Sequence, residues 1–140
     1  MTLPYFENFR KYLTKFEHSS ENMEFYLWFS NYEKRYYTVK KSNENRWSKG
    51  LFNFKKKPKL EFICSNELPF NEEITLVVQL FLNPASSLEL NLPSKIKEAC
   101  LLDLNDSTHP DVFRPIFDHV AQLLSASWIN FMRKIRGGKS

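Results

Sequence analysis

Residues 19–36, Ser-Ser-Glu-Asn-Met-Glu-Phe-Tyr-Leu-Trp-Phe-Ser-Asn-Tyr-Glu-Lys-Arg-Tyr, constrain the fold of this chain more than any other stretch. Met23, Leu27 and Ser30 recur at helical spacing with Tyr26 beside them, while Phe25, Trp28, Phe29, Tyr32 and Tyr36 cover most of the remaining circumference. A helix that is apolar nearly all round has to be packed on several sides, so the pattern predicts the central helix of a domain. Its first turn is polar instead. Ser19 or Ser20 can cap the N-terminus, because either hydroxyl accepts a bond from an orphan backbone N–H. Glu21 and Asn22 complete no Ser-x-x-Glu capping box, so capping does not account for them. A polar tip on a greasy helix is the first candidate functional feature.

The rest of the chain reads as helices gathered around that one. Phe6, Phe9, Leu13 and Phe16 predict a helix over 3–16, with Pro4 in its first turn, where a missing N–H costs nothing. A packed helix so close to the start leads us to expect that the first helices of the bundle are lacking. Residues 38–69 are a basic, polar insertion with Gly50 and Pro58 as breakers; within it, 60–64 suits a short strand or an extended segment. Ile74, Val77, Val78, Phe81 and Leu82 predict a helix capped by Asn71, with Glu72 and Glu73 at its positive end and Asn83-Pro84 as its stop. Ser94 is expected to cap a short helix carrying Ile96, Ala99 and Cys100. After a polar turn over 105–110, Phe113, Ile116, Phe117, Val120 and Leu124 mark another helix, with Pro115 tolerable only near its start. Residues 125–127 interrupt the pattern, and Trp128, Phe131, Met132 and Ile135 mark a last helix. The expected fold is all-α, one domain over 1–140 with 38–69 inserted between two central helices.

Composition removes several classes of function. No apolar run approaches the ~20 residues of a membrane span, and residues 1–10 lack the apolar core of a signal peptide. Cys64 and Cys100 form no Cys-x-x-Cys pair and read as buried thiols in a reducing, cytoplasmic setting. His18, His109 and His119 with those cysteines show no metal-ligand spacing, so no metal is expected. With three Gly in the chain there is no phosphate-cradling loop, and no nucleotide or other cofactor is expected. His119 beside Asp118 is no dyad, because adjacent helical residues point in different directions.

The net charge of +4 is concentrated in the insertion, most densely at Lys55, Lys56, Lys57 and Lys59. A solvated loop is the plainest reading of that run. A second is contact with anionic lipid, each cation adding about 1 kcal/mol. Nucleic-acid binding through interleaved Trp47, Phe52 and Phe54 is the least favoured.

In order along the chain stand Phe9-x3-Leu13, Ser19-Ser20-Glu21-Asn22, Phe25, Tyr32, Phe81-Leu82, Glu89-Leu90-Asn91-Leu92, Val120-x3-Leu124 and Trp128-x2-Phe131-Met132. This series resembles an RGS domain, a regulator of G-protein signalling, over nearly the whole chain outside 38–69. The stretch Ser107-Thr108-His109-Pro110-Asp111-Val112-Phe113 and the basic insertion look most like fungal members.

The resemblance implies an antiparallel helical bundle that binds the GTP-bound α subunit of a heterotrimeric G protein and speeds its GTP hydrolysis. It implies no chemistry of the domain's own, since the α subunit carries the catalytic arginine. It also implies a cytoplasmic location, extending to the inner face of the plasma membrane where α subunits are anchored. Carried over by position, Glu21 and Asn22 match the family's acidic-amide pair, and Glu17, His18 and Ser19 match the turn before it. Asn91, flanked by Glu89 and Leu90, matches the asparagine that reaches the switch segments, and Leu123 matches an apolar contact late in the penultimate helix. Ala126 and Asn130 stand where the family has Asp and Arg, with Ser127 and Asn130 as neutral hydrogen-bonding substitutes. That departure leaves a second reading open, an RGS-fold scaffold or membrane-recruitment module that binds without accelerating hydrolysis.

Overall fold

The computed structural model describes residues 6–39 and 62–137. The run Lys55, Lys56, Lys57 and Lys59, and most of the predicted insertion, lie outside the described residues. Within them the chain is all-helical, as expected. Helix α1 (Phe6–Tyr12) runs into a π-helical turn (Leu13–Glu17), and α2 (Ser20–Val39) follows. Then come α3 (Asn71–Phe81), α4 (Ser94–Asp103), a 3-10 turn (Pro110–Phe113) and α5 (Arg114–Arg136). Residues 62–64 form no strand; 60 and 61 lie outside the described residues.

Helix α2 is central for the reason its sequence gives. Phe25, Phe29 and Tyr32 are each at most 1 % exposed, so neighbours cover this helix on several sides. Phe25 meets Phe81 of α3 edge-on at 5.4 Å, and Phe29 packs on Phe117 of α5 at 4.7 Å. Helix α5 runs antiparallel to α2: Arg114 at its start pairs with Glu33 near the far end of α2, and its guanidinium lies 5.1 Å from the Phe29 ring. Further along, Phe9 of α1 closes on Trp128 at 5.0 Å and on Phe131 at 5.3 Å. The α3 stripe of Ile74, Val77, Val78, Phe81 and Leu82 is buried throughout.

Buried polar groups lock this packing. The Glu73 side chain is wholly inaccessible, accepting from Trp28 Nε1 at 2.7 Å and from the two terminal nitrogens of Arg35 at 2.9 and 2.5 Å. The sequence placed Glu73 at the positive end of the helix; the structure also buries it, where only full pairing makes a carboxylate tolerable. Tyr32 donates its hydroxyl to the Thr108 carbonyl at 2.6 Å, and Thr108 Oγ1 donates to the Pro69 carbonyl at 2.8 Å. The polar turn over 105–110 is thereby tied to the middle of α2.

Several local expectations are corrected. Asn71 does not cap α3; its amide donates back to the Leu68 carbonyl at 2.8 Å, and Phe70 occupies the cap position at φ 59°. Ser94 opens α4 as a helical residue behind Pro93, and Ala99 faces outward. Phe16 is 55 % exposed although it completes the apolar stripe of α1. The π turn has more residues per turn than an α-helix, so the 3.6-residue register that would bury Phe16 is lost there. Finally, 125–127 is no break. Helix α5 passes straight through, because Leu124 and Phe131 keep the core stripe in register and serine is only mildly unfavourable in a helix.

Candidate functional site

The polar tip of α2 is built by the turn before it. In the π turn the His18 N–H donates to the Leu13 carbonyl, and Ser19 N–H bonds the same oxygen at 3.0 Å. Closing the chain this way puts His18 in the left-handed region at φ 51°, unusual for a residue with a Cβ. Such strain and π turns both concentrate at functional positions. Ser19 is not a cap. Its hydroxyl is buried with no hydrogen-bond partner, while the Asn22 N–H is satisfied by the Ser19 carbonyl at 3.2 Å. An orphaned buried hydroxyl costs about 1–3 kcal/mol, so this corner carries a deficit that the fold alone leaves unmet.

The structure joins two segments that the sequence keeps far apart. Ser127 Oγ of α5 donates to Glu17 Oε1 at 2.6 Å. The same carboxylate, ahead of desolvation, raises the Tyr12 phenol above its ordinary value through hydrogen bonding. Glu17 is therefore engaged within the fold, and Ser127 is only 7 % exposed. Leu123 and Asn130 are exposed four residues before and three residues after Ser127, so all three share one side of α5. Ala126 is exposed beside them. Asn22 is buried, Glu21 is half-buried and His18 is exposed, giving a mixed polar edge along the α2 tip.

Asn91 is held by a different route. The Leu90 N–H donates to the Phe81 carbonyl at 2.8 Å, and Phe81 packs on Phe25, one turn beyond Asn22. Leu90 is 3 % exposed, so its side chain anchors the loop in the core while Asn91 is left exposed. Glu89 is partly neutralised by Lys97 Nζ at 3.6 Å. No hydrogen bond joins Asn91 to Glu21 or Asn22 among the described residues. Of these side chains, Asn91, His18, Leu123 and Asn130 are exposed, whereas Asn22 and Ser127 are buried.

Among the described residues, no His, Cys, Asp and Glu cluster into a metal-binding group. Cys64 and Cys100 are free and buried; burial raises both thiols, Cys100 to about 12, so neither is poised as a nucleophile. What the site offers is a shaped rim of hydrogen-bonding groups. Sequence reasoning missed the π turn and the Glu17–Ser127 bond, since a π turn has no local signature and a contact 110 residues apart leaves none.

The family model described as "Regulator of G protein signaling domain" matches residues 2–134 of this chain. No curated protein and no solved structure matches it.

Proposed function

The chain belongs to the regulator of G protein signaling family, and from that premise we propose that it binds an activated heterotrimeric G-protein α subunit and accelerates its GTP hydrolysis. The observation that carries the reading is the Glu17–Ser127 bond, because it fixes the turn before α2 against α5 and makes one rigid rim of segments distant in sequence. In this reading Glu21, Asn22 and the exposed Asn91 contact the switch segments, while His18, Leu123, Ser127 and Asn130 flank them. The Ser19 hydroxyl, without a partner in the free protein, acquires one at the interface.

The domain supplies no reacting group. Its contribution is to hold the partner's switches in the geometry they reach in the transition state, which raises the rate only if that geometry is bound more tightly than the ground state. An amide suits Asn91's part, since it donates and accepts at once and can orient a polar side chain of the partner. Rigidity of the rim matters for the same reason: a misplacement of about 1 Å can cost on the order of 100-fold in rate.

Single-turnover GTP hydrolysis by a panel of α subunits tests the reading. Acceleration by the protein that disappears in Asn91→Ala supports it; no binding to any α subunit overturns it. A second reading rests on Ala126 and Asn130, where the resemblance calls for Asp and Arg. Without that charge pair, the same surface binds as a scaffold and leaves hydrolysis unchanged. Tight binding of a transition-state mimic without acceleration selects that reading. No helix among the described residues is long and apolar enough to cross a membrane. Residence at the inner face of the plasma membrane is part of the proposal, with Lys55, Lys56, Lys57 and Lys59 as one candidate lipid contact.

A further inference from the structure

A row of rings leaves the core beside the proposed rim and ends in solvent. Phe9 packs at a tilt on Phe131 at 5.3 Å, Phe131 on Tyr12 at 5.3 Å, and Tyr12 on Phe16 at 5.7 Å. Phe9 and Phe131 are buried and Tyr12 is half-buried, whereas Phe16 keeps 55 % of its surface exposed. Its ring is flanked by cations: Lys134 Nζ lies 4.4 Å from the centroid and Lys15 Nζ 5.9 Å. Lys11 lies one turn before Lys15 and lines the same surface, with Glu7 at its edge; Arg133 and Arg136, in the last turn of α5, line a different face with Trp128 and Met132. None of these cations is in a salt bridge among the described residues. Helix α5 carries no acidic residue after Asp118, and the carboxylate next to Phe16 in sequence, Glu17, is already bound by Ser127.

We propose that this corner, Phe16 with Lys11, Lys15 and Lys134, docks on an anionic phospholipid surface. The ring has the size and exposure to enter the headgroup region, and lysine stems can lie along apolar surface while their ammonium groups stay at the polar level. The excess of cations over carboxylates at this corner selects the occupant. A diffuse anionic plane satisfies every cation of the corner at once, whereas a protein partner needs carboxylates at matching fixed positions. Lys134 follows Ser127 by seven residues on the same side of α5, about 10 Å at the helical rise, so docking places the candidate rim beside the bilayer. The inference does not depend on the proposed α-subunit partner, since lipid binding is measured without one.

The test is sedimentation of the full chain with phosphatidylcholine vesicles with and without phosphatidylserine. Binding is expected only with phosphatidylserine. Neutralising Lys11, Lys15 and Lys134 to Gln together is expected to weaken it by about fivefold per cation, on the order of 100-fold in all. Phe16→Ser, which leaves the charge unchanged, is expected to weaken it several-fold. All four positions are exposed, and unchanged thermal melting verifies that the fold survives. The proposal is overturned if the wild type ignores phosphatidylserine, or if Phe16→Ser binds like the wild type. It is equally overturned if replacing Lys55, Lys56 and Lys57 with Glu abolishes binding while the Gln triple variant retains it.

Discussion

Ser127 donates its hydroxyl to the Glu17 carboxylate at 2.6 Å, closing the turn before the central helix onto the long C-terminal helix. The bond is charge-assisted, and at Ser127 it is nearly buried. Hydrogen bonds to charged groups contribute about 1.5–3 kcal/mol. Ser127→Ala is expected to lower the melting temperature by a few degrees, and Glu17→Gln by less, since an amide oxygen still accepts. A double-mutant cycle measured by denaturant unfolding checks the coupling; strictly additive effects would show that the two residues act independently.

The Glu73 carboxylate is the point where the structure is most vulnerable to one substitution. Glu73→Ala leaves Trp28 Nε1 without its acceptor and takes the buried carboxylate from the Arg35 guanidinium, and removing one partner of a buried pair costs about 3–5 kcal/mol. Glu73→Gln keeps an acceptor for the indole but loses the charge, so a smaller loss is expected. Urea midpoints of the two variants should fall in that order below the wild type.

Continuity of α5 through 125–127 is directly checkable. Ala126 is exposed in the middle of a 23-residue helix, so Ala126→Gly is expected to destabilise by about 1 kcal/mol through helix propensity alone. In a loop the same change would be near neutral. Protection of the Ala126 and Ser127 amides in hydrogen exchange gives an independent reading of the same point.

Alkaline pH should unfold the protein earlier than its acidic groups alone would dictate. Burial raises the Cys100 thiol from 9.0 to about 12, and burial likewise raises Tyr32, so the folded state holds protons that the unfolded chain releases. Stability from Cys100 is therefore intact below pH 9.0 and declines as pH climbs toward about 12, with a limiting slope of about 1.4 kcal/mol per pH unit for each such group. Cys100→Ala is expected to flatten that decline, measured as denaturant midpoints across the range.

The sequence by itself determined the class of fold and its centre. Residues 19–36 had to be buried on several sides, because rings and aliphatic side chains occupy nearly the whole circumference of one helix. The α3 stripe followed from spacing for the same reason, and the RGS resemblance agrees with the family match over residues 2–134. These features are local periodicities, and burial of apolar area enforces them whatever the details of packing. Tertiary structure alone decided where polar groups find partners. Glu73 is indistinguishable in sequence from a solvated residue at a helix start, and only the arrival of Trp28 and Arg35 makes it a core residue. Residues 125–127 suggested a break that packing of Leu124 and Phe131 overrides. The polar tip of α2 was legible as an anomaly, yet its geometry depends on the Leu13 carbonyl, the strained His18 and a hydroxyl from the opposite end of the chain. Hydrogen bonds across more than a hundred residues carry no periodic signature, so the rim of the candidate site becomes visible only once the chain has folded.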